Sequence, residues 1–271
     1  MTATTFPSNN SARASERVFF AVSALIFAVS AAATIAWCAS MSAMGEMAMP
    51  GGWTMSMAWM RMPGQTWSAA AASFIGMWVL MMVAMMLPSL VPMLSRYRQA
   101  VGGAGETQLG RLTAIVGAAY FTVWTVFGIG AFSLGVALAA LEMRLPALAR
   151  AVPIASGMVV SLAGMLQFTA WKARHLACCR AAPERPRTLP AEAATAWRHG
   201  VRLGLHCSYC CAGLTAILLL IGIMDPRAMA LAMVVNILER LVQAGERVAR
   251  AIGAAVVAAG LFLIARAAGL W

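Results

Sequence analysis

Three cysteines and a histidine fall within six residues, His206-Cys207-Ser208-Tyr209-Cys210-Cys211, at the start of an apolar run over 201–224. On a helix, residues three and four apart share a face. Cys207 then neighbours both Cys210 and Cys211, and His206 neighbours Cys210. Thiols and an imidazole gathered at the mouth of an apolar helix suit a soft metal ion or thiol redox chemistry. Cysteine also serves as a small buried hydrophobe, but three in five positions beside a histidine exceed what packing requires. A second cluster, His175 with Cys178 and Cys179, lies in the segment 172–180. His175 and Cys179 join the candidate ligands.

Methionine adds a second kind of soft donor. Residues 40–70 hold Met41, Met44, Met47, Met49, Met55, Met57, Met60 and Met62. Pro50, Gly51, Gly52, Pro63 and Gly64 interrupt any long helix there. Thioether is a soft ligand that suits Cu(I) and does not titrate, so this loop reads as a metal-capture segment. The competing use is flexible packing filler. Farther on, Met77, Met81 and Met85 repeat every four residues, as do Met82 and Met86. Such a stripe along one helix face is by itself a packing pattern.

These residues need elements to hold them, and composition says which. The 271 residues are 62% hydrophobic and only 11% charged, against roughly 25% charged in soluble domains. A water-soluble fold is excluded. Apolar runs near span length at about 18–39, 71–94, 112–141, 153–171, 201–224, 227–243 and 251–268 give an all-α polytopic transmembrane bundle of about seven spans. Residues 1–17 are expected to be a disordered cytoplasmic tail. The run at 18–39 exceeds the roughly 7–15 apolar residues of a cleaved leader, so it is read as a retained helix. Pro88 and Pro92 are expected to kink or end the second span. Asp225-Pro226 makes a tight turn, with Asp as cap and Pro at the first helical position.

The net charge of +11 does not indicate nucleic acid. Lys and Arg lie mostly in short loops, where they orient a membrane protein. With the N-terminus inside, residues 1–17, 96–111, 172–202 and 240–250 carry fifteen of the twenty basic residues. Arg61, Arg144, Arg150, Arg227 and Arg266 remain outside. The expected topology is N-in and C-out, with the Met-rich loop outside and both Cys/His clusters inside. Cys211 lies fourteen residues before Asp225 and Glu239 fourteen after it. In an antiparallel helical hairpin that places Glu239 level with Cys211, as a carboxylate beside the thiols. A carboxylate at such depth is paired or functional.

The motifs resemble a bacterial family of predicted metal-binding integral membrane proteins, sometimes labelled copper chaperones. The resembling residues are Trp78, Met81, the run Ala84-Met85-Met86-Leu87-Pro88 with Pro92, then Gln167, Lys172, Gly204, Cys207, Cys210, Cys211, Gly222, Met224 and Glu239. They extend over roughly residues 70–268. The resemblance implies metal binding and brings Met81, Met85 and Met86 into the candidate ligand set. It departs at His175 in place of Cys, Tyr209 in place of Gly, Ala212 in place of an aromatic residue, and Arg240 in place of Lys.

The leading expectation is a bacterial inner-membrane protein that captures Cu(I) at the outer Met-rich loop and binds or relays it at Cys207, Cys210 and Cys211. His206, His175 and Cys179 would be further ligands and Glu239 a supporting carboxylate. Zn(II) or Hg(II) would also bind thiols. Partners would be the lipid bilayer, the metal ion and a metallochaperone or metal-accepting protein, with no nucleic acid. Two alternatives stay open: a thiol–disulfide oxidoreductase using Cys207-x-x-Cys210, and an assembly or anchor subunit without chemistry. No catalytic residue is singled out. Gly102-Gly103-Ala104-Gly105 lacks the Lys-Ser/Thr of a phosphate loop, which argues against ATP-driven pumping by this chain alone.

Overall fold

Capping and breaking residues divide the apolar runs into eight helices among the described residues. The structure is a computed structural model, and it describes residues 9–43, 45–101, 105–180, 189–223, 225–242 and 244–269. The helices are α1 (Asn9–Ser42), α2 (Trp67–Ala100), α3 (Glu106–Arg144), α4 (Pro146–Leu166), α5 (Ala170–Arg180), α6 (Ala193–Ile221), α7 (Pro226–Leu241) and α8 (Gly245–Ala267). The Thr66 side chain accepts from Ala69 N–H to start α2. Pro146 opens α4. Asp225 accepts from Arg227 N–H at 2.8 Å and Pro226 takes the first position of α7. Gly222, at φ +134°, ends α6, a conformation that side-chain-bearing residues rarely adopt.

Six of the eight helices are long and apolar enough to cross a membrane: α1, α2, α3, α4, α6 and α8. The sequence suggests about seven. The difference is α7, whose 16 residues reach about 24 Å at 1.5 Å per residue, short of an apolar core of about 30 Å. Other bounds differ as well. α1 begins at Asn9, so residues 9–17 are helical where a disordered tail is expected; residues 1–8 lie outside the described residues, as do Met44 and Met224. α2 runs through Pro88 and Pro92 to Ala100, because packed neighbours in a bundle hold a helix across such breaks. The expected fourth span stops five residues early, at Leu166. There Thr169 Oγ donates to Leu166 O at 2.7 Å and accepts from Lys172 N–H at 3.2 Å, capping α5 and redirecting the chain.

α2 is the central helix, with Met77, Trp78, Met81, Met82, Met85 and Met86 all buried. Trp78 fills the gap left by Gly128 on α3 and donates Nε1–H to Trp124 O at 2.8 Å. α4 and α8 pack antiparallel through Gly157, Gly164, Gly253 and Gly260, the close approach that small residues permit between membrane helices. α6 approaches α3 at Gly204, where an added Cβ would lie 3.0 Å from Tyr120 O.

The Met-rich loop is not irregular. It holds an antiparallel hairpin of β1 (Glu46–Met49) and β2 (Trp53–Ser56), followed by a 3-10 turn at Met57–Trp59. Met47 pairs with Met55 and Met49 with Trp53, which puts all four on one face. That face packs on Ala139 and Ala149, and Trp53 donates Nε1–H to Ala149 O at 2.8 Å.

Candidate metal centre

The turn at Gln167–Thr169 sends α5 across α6, and α7 returns beside α6 with its last turn facing both. Each element contributes polar groups to one buried region. On α6, Cys207, Cys210 and Cys211 are all buried. All are free thiols, and they lie within hydrogen-bonding reach in series: Cys207 of Cys211, and Cys210 of Cys211 and of Cys179 of α5. At the α2 end, Cys207 Sγ lies 4.0 Å from Met86 Sδ. Five sulphur atoms therefore run in the order Met86, Cys207, Cys211, Cys210, Cys179.

Polar side chains line one end of this row. Arg240 of α7 is only 5% exposed. Its Nη2 donates to Cys207 Sγ at 2.8 Å and Cys211 Sγ at 3.0 Å, and its Nη1 to Ser89 Oγ at 3.1 Å. Tyr120 Oη is 2.7 Å from Cys207 Sγ. Cys211 Sγ donates to Asn236 Oδ1 at 3.1 Å. Close to Cys210 stands a buried ion pair, Lys172 Nζ to Glu239 Oε2 at 2.7 Å. The same ammonium donates to Cys210 O at 2.6 Å, and Gln167 Nε2 donates to Glu239 Oε1 at 3.1 Å.

The expected ligands are thus distributed rather than gathered about one point. Cys207 and Cys211 share Arg240, while Cys210 packs with Cys179 and Leu176. His175 and His206 face each other with Nδ1···Nδ1 at 3.1 Å, beside Trp171 and Tyr209. They lie four residues before Cys179 and Cys210 respectively, on a neighbouring turn. Among the described residues, no group of three or more His, Cys, Asp or Glu could hold a metal ion as placed. Glu239 bonds to Lys172 and Gln167 next to Cys210, while Asn236 and Arg240 bond to Cys211 Sγ. α6 ends at Ile221 and α7 starts at Pro226. Cys211 is ten residues before the former and Asn236 ten after the latter, and these two bond across the turn. Met81 and Met85 are buried in the core on α2 with Met86, and of the three it is Met86 that reaches a cysteine.

A soft monovalent ion needs fewer donors than Zn(II), which takes four. Two thiols with a thioether at their edge is a donor set suited to Cu(I). Asn236, Tyr120 and Ser89 are not candidates from sequence, and Lys172 enters there only among the residues of the family resemblance. Glu239 and Arg240 do carry one signal in common, charge within the apolar run 227–243, where it is retained only when paired or functional.

A family model described as PpoB2, copper chaperone, matches residues 75–263. No curated protein and no solved structure matches the chain. The matched stretch contains every member of the buried network and leaves out the Met-rich hairpin.

Proposed function

Because the chain belongs to the PpoB2 copper chaperone family, we propose that it is a membrane protein that carries Cu(I) as cargo, held at Cys207 and Cys211 and passed along Cys210 to Cys179. The supporting observation is the row of five sulphurs from Met86 to Cys179. Neighbouring soft donors let an ion move by exchanging one ligand at a time, without a bare intermediate in the apolar interior. His175 and His206 stand at the α5 side of the row, placed to receive the ion or present it to an acceptor protein. The orientation that fits is N-in, in a bacterial inner membrane, with delivery towards the cytoplasm. Lys172 and Arg240 are buried and drop out of the charge count, yet the remaining basic residues still favour that side.

Outer capture rests on fewer residues than the eight methionines of the loop. Met49 and Met55 are buried, Met47 and Met60 pack against them, and Met44 lies outside the described residues; that leaves Met41, Met57 and Met62, all half-buried, as the better-placed donors. The oxidoreductase reading has no comparable support: Cys207 is held by Arg240 and Tyr120, while Cys210 reaches Cys179 on another helix.

The test is anaerobic titration of the purified chain with Cu(I) against a chromophoric chelator. Replacing Cys207 and Cys211 together by Ser lowers affinity at least about 100-fold, the scale of losing metal ligands rather than supports. Cys179→Ser leaves affinity nearly intact and slows transfer to an acceptor. Unchanged affinity in the double Ser variant removes this site from the proposal.

A further inference from the structure

The Lys172–Glu239 pair is neutral in itself. Arg240 is not balanced in that way. Among the described residues its guanidinium makes no ion pair with a carboxylate, and its Nη2 rests on the two sulphurs of Cys207 and Cys211. Arginine stays protonated in proteins. A net charge inside an apolar bundle is costly, so the charge of whatever those sulphurs hold decides the stability of the loaded state.

Resting on the copper reading above, we infer that Arg240 is a specificity-determining residue that selects monovalent soft cations over divalent ones by charge balance. Two thiolates with one Cu(I) or Ag(I) make a complex of charge −1, and the guanidinium brings the centre to zero. Two thiolates with Zn(II) or Cd(II) make a neutral complex, and the guanidinium then leaves the centre at +1 with a like charge close to the metal. A divalent ion regains neutrality only by recruiting a further anionic ligand, such as a third thiolate. No three such donors are placed to hold an ion among the described residues. Zn(II) also prefers four ligands in a tetrahedron. The guanidinium reaches the sulphurs from α7, and the thioether of Met86 reaches Cys207 from α2.

The experiment measures dissociation constants for Ag(I) and Zn(II) on the full-length chain in detergent, for wild type, Arg240→Lys and Arg240→Met. Charge balance predicts that Arg240→Met shifts the Zn(II)-to-Ag(I) affinity ratio towards Zn(II) by at least about tenfold, a conservative reading of one unit charge removed near the ion. Arg240→Lys keeps the charge and holds the ratio within about threefold. A purely structural role would weaken both ions together in both variants. An unchanged ratio in Arg240→Met, with Ag(I) still bound through Cys207 and Cys211, overturns the inference and spares the copper reading. Failure of wild type to bind Ag(I) through those cysteines overturns the copper reading itself. If Arg240→Met does not accumulate, Arg240→Gln, which keeps a donor towards Ser89 without the charge, gives the same ratio.

Discussion

The hairpin of β1 and β2 and the interior between α5, α6 and α7 are both rich in sulphur, and they use it differently. In the hairpin, Met49 and Met55 lie against Ala139 and Ala149, with Met47, Trp53, Trp59 and Met60 around them. In the interior, Cys207 and Cys211 meet Arg240, Tyr120 and Asn236. Burying polar and charged groups opposes folding unless they are satisfied. A region that retains them around its sulphurs is built for something other than packing, whereas one that lines its sulphurs with alanine is explained by packing. The number of soft donors does not separate the two regions; the company they keep does.

The comparison breaks most visibly at the ion pair. Glu239→Ala leaves Lys172 unpaired at a site where both side chains are 5% exposed or less, and costs about 3–5 kcal/mol. Denaturant unfolding in micelles reads this, and replacing Lys172 by Met as well recovers most of the loss. A single-variant cost under about 1 kcal/mol would mean that the pair is solvated and the interior no different from the hairpin.

Gly204→Ala tests how finely the interior is positioned. Its Cβ would come within 2.9 Å of Val123 Cβ and 3.0 Å of Tyr120 O, forcing α3 away from α6. The expected loss is about 1–3 kcal/mol of stability, together with weaker Cu(I) binding as Tyr120 leaves Cys207. Unaltered binding would separate Tyr120 from the site. Tyr120→Phe removes the hydrogen bond alone; its effect is about 1 kcal/mol, or roughly fivefold in Cu(I) affinity, read by chelator competition.

The smallest effects belong to the hairpin. Met49→Leu and Met55→Leu keep apolar volume, so each costs less than about 1.5 kcal/mol and copper acquisition at scarce copper stays as in wild type. Met57→Leu with Met62→Leu lowers that acquisition if the outer face captures metal. Equal behaviour of the two pairs would leave the whole loop to packing.

Much of this was legible in the chain. The apolar runs, the Asp225-Pro226 cap and the i, i+3, i+4 cysteine spacing mark the bundle, the α6–α7 turn and the clustering of thiols on α6. What the spacing could not convey is which neighbours those thiols meet. Lys172 looks like a loop residue until the turn at Thr169 folds it inward. Glu239 looks like a lone carboxylate beside the thiols until Lys172 and Gln167 close on it. Tyr120 lies 87 positions from Cys207, and only the close α3–α6 approach at Gly204 joins them. Likewise, alternation in the hairpin is hidden by counting methionines, although Met47, Met49, Trp53 and Met55 follow the period of a strand.

X-ray absorption at the copper edge of the Cu(I)-loaded full chain tests the central claim most directly. Two or three sulphur donors and no imidazole nitrogen are expected in wild type. The same spectrum should survive Met49→Leu with Met55→Leu and disappear in the Cys207→Ser, Cys211→Ser variant. A copper shell that persists unchanged without those two cysteines, or one built from histidine nitrogen, would contradict the assignment of the cargo site to the thiol pair beneath Arg240.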